Sequence, residues 1–149
     1  RIDGDTIEST PIARGNLSVP QRNRSKLPFG PRIYGCYVSS PHYENLKSNL
    51  KTAEGRSLAK MTRGMKNLEP GDFLSLRHGK YGRKETALSM QIHRVKVFPN
   101  LHCLFASQTS AVVYLPGFKN YEHFAGVYAA FGDVNEEWVG FELGAVHRS

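Results

Sequence analysis

One stretch constrains the fold of this 149-residue chain more than any other: Thr86 to Phe98, which reads as a single long β-strand that changes face partway along. Leu88, Met90 and Ile92 alternate with Ser89, Gln91 and His93, and the apolar phase then slips to Val95 and Val97. Alternation with period two marks one buried and one wetter face. A slip of one residue moves every later side chain to the opposite face unless an extra residue is absorbed, so a β-bulge is expected near His93 and Arg94. A long strand bent in this way belongs in a small, strongly curled sheet.

The flanking sequence supplies the rest of the sheet. Ile33 to Val38 and Phe73 to Arg77 read as strands, the second launched by a Pro70-Gly71-Asp72 turn in which Asp72 serves the turn itself. Leu101 to Ala106, Ala111 to Leu115 and Glu137 to Val146 are the remaining strand candidates. Ser40 and Pro41 suit the start of a helix, and Tyr43, Leu46 and Leu50 recur at helical spacing, predicting a helix over 41–52 that ends by Gly55. Leu58, Met61 and Met65 suggest another turn or two, broken at Gly64. Asn120 caps a second helix, whose stripe of Tyr121, Phe124, Tyr128 and Phe131 closes at Gly132. Five or six strands with two flanking helices make an α+β domain built on a small β-barrel. Residues 1–31 differ: Pro11, Pro20, Pro28 and Pro31, little periodicity, and Arg14, Arg22, Arg24 and Lys26 in the second half read as an extended basic arm, with the domain proper over 32–149. Such an arm is expected to dock on a partner.

Composition narrows the function. Hydrophobic residues make up 40% of the chain, and no apolar run approaches the roughly 18 residues that span a bilayer. The formal net charge of +7 favours phosphate-bearing partners, RNA or a nucleotide, over a membrane. Cys36 and Cys103 lack zinc-site spacing and read as buried thiols in a reducing compartment, although two cysteines could also pair. The expected location is intracellular, cytoplasmic or nuclear, with an organelle still open. His42, His78, His93, His102, His123 and His147 show no metal-ligand spacing, and neither a Ser-His-Asp signature nor a Gly-rich phosphate loop is present, so neither metal nor cofactor is expected.

The chemistry-bearing residues cluster in Lys51-Thr52-Ala53-Glu54-Gly55-Arg56. An ammonium, a carboxylate and a guanidinium at the rim of a small β-fold suit a polar, partly anionic ligand. Lys51 could donate to a phosphate or base carbonyl, or act as a base if burial lowers its pKa. Arg56 could grip phosphate or stack on a base, and Glu54 could accept from an exocyclic amine. The bland alternatives are a solvated lysine at a helix end and an exposed ion pair of little weight. Lys80, Tyr81, Arg83 and Lys84, with Arg22 and Arg24 in the arm, combine charge and an aromatic ring in the manner of single-stranded RNA contacts, against the plain reading of a solvated hairpin tip.

Over residues 33–147 the pattern resembles the ASCH family, a branch of the PUA-like β-barrel superfamily. The residues that carry the resemblance are Leu50 to Arg56, Pro70-Gly71-Asp72-Phe73-Leu74, and the run from Gly126-Val127-Tyr128 through Phe131-Gly132 to the strand Trp138 to Leu143 containing Glu142. The Gly that family members carry before the Lys is replaced by Ser48-Asn49-Leu50, the loop between Arg56 and Gly71 is longer than in compact members, and the basic arm has no counterpart. The resemblance implies a cleft between barrel and first helix that binds RNA or modified nucleosides, lined by Lys51, Glu54 and Arg56 with Thr52 in support. Some members resemble amidohydrolases acting on N4-acetylcytidine through a Lys, a Thr and a distant Glu, and others are reported as ribonucleases. Lys51 matches the catalytic Lys, but the Thr position falls at Glu54, which argues against the same amidohydrolase chemistry. A hydrolase acting on RNA or a modified nucleoside, and a structural subunit of a ribonucleoprotein or viral assembly, are the alternative readings. A reader of methylated RNA would need an aromatic cage, for which Trp138 is the one tryptophan available.

Overall fold

The structure, a computed structural model, describes residues 30–118 and 120–147. Five strands, β1 (Ile33–Val38), β2 (Ala53–Ser57), β3 (Phe73–His78), β4 (Leu88–Phe98) and β5 (Trp138–His147), form one sheet in the order β1-β3-β4-β5-β2. β1 runs parallel to β3, and every other pairing is antiparallel. The α+β class and the five-stranded, barrel-like sheet are those expected from the sequence. The bulge is there as well: the β4–β5 register shifts between Met90 and Ile92 and again between Ile92 and Arg94, where the apolar phase slips.

β1 and β2 are the two edges of this sheet, and no ladder joins them. The curl brings them to face each other across a cleft lined by Tyr34 to Ser39 of one edge and Glu54 to Ser57 of the other. Arg56 spans the gap, its Nη2 donating to the Tyr37 carbonyl at 3.1 Å and to Cys36 Sγ at 3.6 Å. The barrel is therefore open along one seam. Inside the curl, Leu74, Leu76, Met90, Ile92 and Phe141 pack with Leu46 of the first helix. A second, aromatic core of Phe98, Leu104, Tyr114, Phe124, Tyr128 and Trp138 fills the end of the sheet beneath the C-terminal helices.

The helical parts depart from expectation. There are four short helices among the described residues: α1 (His42–Lys47), α2 (Arg63–Lys66), α3 (Leu101–Ala106) and α4 (Tyr121–Tyr128). The first stops well before residue 52 because Asn49 takes a left-handed conformation (φ 63°). The chain doubles back there, and the N–H groups of Leu50 and Lys51 both donate to the Asn45 carbonyl at 2.9 Å. Gly55 ends no helix; it lies in β2, where a Cβ would press on Leu104 at 3.4 Å and Tyr114 at 3.6 Å. Leu101 to Ala106 is a helix rather than a strand, since the Asn100 side chain accepts from the Cys103 N–H at 2.8 Å and Leu101 and Leu104 bury one face. Residues 111–115 form a loop with a single bridge, Thr109 to Val112, and the Tyr114 N–H is satisfied by the Gln108 side chain instead of a neighbouring strand. Asn120 caps α4 as expected, accepting from the His123 N–H at 2.9 Å, but the helix ends at Tyr128, before Phe131 and Gly132. Residues 1–29, with the basic arm, lie outside the described residues.

Candidate functional site

The cleft between the two sheet edges has a volume of about 440 Å³. Two elements build its polar floor. The tight return after α1 delivers Lys51 inward, fully buried, and β2 then carries Glu54 and Arg56 two residues apart, on one face of the strand. Glu54 is the hub. Its Oε2 accepts from Arg56 Nε at 2.8 Å, and its Oε1 lies 3.7 Å from Lys51 Nζ. Lys51 Nζ also donates to the Tyr114 backbone carbonyl and, at 3.1 Å, to the Tyr128 hydroxyl, which itself donates to that carbonyl at 3.2 Å.

Burial disfavours all three charges, and Glu54, placed between the two cations, offsets that cost. Burial pushes the Glu54 carboxyl up, but the Arg56 guanidinium and then the Lys51 ammonium outweigh it and hold Glu54 below the usual carboxylate range. Burial pulls Lys51 down to about 8 against the attraction of Glu54, so the ammonium is still mostly protonated at neutral pH. Arg56, disfavoured by burial, is raised by Glu54. Two cations about one carboxylate leave a residual positive charge. The walls are aromatic: Tyr34, Tyr37, Tyr128 and Phe131, with Tyr37 49% and Phe131 44% exposed at the lips. Lys60 adds a cation to the lining. Cys36 also lines this wall, its Sγ 3.6 Å from Arg56 Nη2 and its thiol pushed up by burial to about 11, which disfavours the thiolate.

The expected site residues fall into three places. Glu54 and Arg56 line the cleft directly. Lys51 lies behind them, under Glu54 and Tyr128, and is absent from the lining. Thr52 points elsewhere: its Oγ1 accepts from the Val113 N–H at 2.9 Å and fastens the 111–113 loop. The basic turn after β3 is outside the cleft, although Gly79 ties it to the cleft wall through its N–H on the Val38 carbonyl at 2.7 Å. There Tyr81 is 86% exposed with Lys80 Nζ 5.7 Å from its ring centroid, Arg83 is exposed, and Lys84 opens a short 3-10 turn. Arg22 and Arg24 lie outside the described residues. Trp138 is fully buried, with its indole N–H on the Asp133 carbonyl at 3.0 Å, so it forms no cage.

Sequence reasoning missed His42, Tyr37, Phe131 and Lys60 as cleft residues. The alternation of β1 put Tyr37 opposite the buried Cys36 and Val38 and so already marked it as surface-facing. Nothing local marked His42, whose place in the cleft comes from tertiary packing against Tyr128 and Phe131. Among the described residues, no cluster of His, Cys, Asp or Glu could hold a metal ion, and no helix is long and apolar enough to cross a membrane. A Ser-His-Glu grouping does occur on the surface, with the Ser40 hydroxyl 2.9 Å from both Glu44 Oε2 and His78 Nε2. The carboxylate approaches that same Nε2, at 3.5 Å, rather than the other ring nitrogen, so it cannot orient the imidazole as a base for Ser40.

No family model and no curated protein matches the chain. Solved structures do resemble it. The crystal structure of hypothetical protein PH0355 is 20% identical with a TM-score of 0.61, covering 77% of this chain and 99% of that one. The solution structure of protein PF0455 from Pyrococcus furiosus is 21% identical with a TM-score of 0.54, covering 78% of this chain and 99% of that one. At these identities the likeness extends to the fold alone.

Proposed function

We propose that this chain is an ASCH-type domain of the PUA-like superfamily that binds RNA or a nucleotide, taking a base into the cleft between its two open sheet edges. The observation that carries the reading is Glu54, ionised between Lys51 and Arg56 on the floor of an aromatic-walled hollow of about 440 Å³. That volume lies in the range of small-ligand sites. A flat heteroaromatic ring matches the aromatic walls by stacking, and an ionised carboxylate is an acceptor that suits an exocyclic amine. Arg56 and Lys60 supply positive charge for a phosphate. In this reading the turn at 80–84 and the basic arm make backbone contacts, and a protein partner that orders the arm is compatible with it. An RNA or nucleotide ligand goes with an intracellular location.

The test is anisotropy with labelled single-stranded RNA, and calorimetry with nucleoside monophosphates, on the wild type, Arg56→Ala and Glu54→Gln. Affinity is expected to fall about ten-fold or more in each variant, in line with a lost charge-assisted hydrogen bond. Unchanged affinity in both removes the cleft from the reading.

A second reading, a hydrolase acting on RNA or a modified cytidine, rests on the lowered pKa of the fully buried Lys51. Against it, the ammonium already donates to Tyr114 and Tyr128 and does not reach the lining. Incubation with RNA and with N4-acetylcytidine decides: turnover that Lys51→Met abolishes favours the hydrolase.

A further inference from the structure

Among the described residues, two buried polar atoms of the cleft lining have no hydrogen-bond partner, Ser57 Oγ and His42 Nδ1, and the second is carried by a ring within the aromatic wall. His42 opens α1, is 6% exposed and lines the cleft. Its ring sits 5.7 Å from Tyr128 and 6.1 Å from Phe131, centroid to centroid, within the aromatic wall. Its Nδ1 is buried and, among the described residues, has no hydrogen-bond partner. Buried polar atoms are paired in folded proteins, and an unpaired one calls for a partner that the protein does not supply, such as a water, an ion or a ligand atom. Packing explains the ring but not this nitrogen: a phenyl group would fill the same place against Tyr128 and Phe131 without the desolvation penalty.

We infer that His42 is a ligand-contacting, specificity-determining residue whose Nδ1–H donates one hydrogen bond to the edge of the bound base, beside Glu54. The inference rests on the nucleotide-binding reading and deepens it. Burial, with Lys51 and Arg56 close by, favours the neutral ring. A neutral imidazole carries one N–H and one lone pair, so Nδ1 can complement an atom that the acceptor-only Glu54 cannot. A donor atom on the ligand would meet Glu54, and the acceptor beside it would meet His42 Nδ1–H. A base carrying an amino group next to an unprotonated ring nitrogen, as cytosine and adenine do, presents that pair. Uracil offers carbonyl oxygens on both sides of its single N–H, and one of them would lie against the carboxylate.

The experiment measures binding of CMP, AMP and UMP by calorimetry to the wild type, His42→Phe and His42→Asn. Asn is chosen because its side-chain amide reaches the Nδ1 position. Thermal melts confirm that the variants are folded. The wild type is expected to prefer CMP and AMP over UMP. His42→Phe should lose about ten-fold in affinity for the preferred nucleotides together with the preference, and His42→Asn should recover most of both. In parallel, the ¹⁵N resonance of His42 Nδ1 in the wild-type protein should shift on saturation with CMP or AMP, a readout that needs no variant to fold. Binding by His42→Phe that equals the wild type, or an Nδ1 resonance unmoved at saturation, overturns the inference while leaving the nucleotide site standing. A wild type that binds none of the three nucleotides, and no single-stranded RNA, overturns both.

Discussion

A fully buried ammonium makes the stability of this protein depend on pH in an unusual direction. Folded Lys51 holds its proton to about pH 8, against an ordinary value of 10.5. Between those values the unfolded chain binds more protons than the folded one, so raising the pH stabilises the fold. From pH 7 to 9 the Lys51 contribution integrates to on the order of 1 kcal/mol. Cys36 acts in the opposite direction. Its thiol is raised from 9.0 to about 11, so the folded state keeps a proton that the unfolded chain loses, and stability falls as pH rises through that interval. By pH 9 this offsets only a minor part of the Lys51 gain, leaving a net stabilisation seen as a rise in Tm of a few degrees. Above pH 10 the buried Tyr128 and Tyr114 hydroxyls, both raised by burial, turn the curve down. Urea unfolding under reducing conditions at half-unit steps from pH 7 to 10 measures the profile. Lys51→Met should abolish the rise and leave a slight decline, and Cys36→Ala should enlarge the rise. A wild-type profile that Lys51→Met leaves unchanged would refute the assignment of this window to Lys51.

Two further predictions concern the frame around the cleft. A Cβ on Gly140 would overlap the Tyr114 hydroxyl and lie 3.0 Å from Tyr114 Cζ and 3.2 Å from Phe98. Gly140→Ala should therefore cost about 2–3 kcal/mol, visible as a lowered urea midpoint, and it should loosen the carbonyl that Lys51 and Tyr128 share. Asp72 is 1% exposed and accepts from the Arg32 N–H at 2.9 Å and the Glu69 N–H at 2.8 Å. Asp72→Ala leaves two backbone donors without that acceptor and should cost about 2–4 kcal/mol, with Asp72→Asn near half of that, read from thermal melts.

The sheet was legible where alternation is local. β1, β3, β4 and β5 announce themselves through period two, and the bulge in β4 through the slip from Ile92 to Val95. β2 was not, because its chemistry hides its burial. Ala53, Glu54, Gly55 and Ser57 are all buried, yet the segment reads as polar since Glu54 is satisfied by Arg56 beside it and by Lys51 from behind. α3 was misread because Leu101, Cys103 and Phe105 also fit a strand, and the deciding residue was the cap at Asn100. The grouping of Lys51, Glu54 and Arg56 could be anticipated from their spacing. The inward placement of Lys51 could not, since it depends on the left-handed turn at Asn49.

The unladdered seam has a consequence for how this architecture can vary. The separation of β1 from β2 is set by side chains, with Arg56 on the Tyr37 carbonyl and on Cys36 Sγ as the crossing bonds, while β3, β4 and β5 hold the sheet together. Widening the slot costs the protein the contacts of a single guanidinium rather than a row of backbone bonds. Ligands of different girth can then be accommodated by substitutions on two short peripheral strands, with the interior of the domain left as it is.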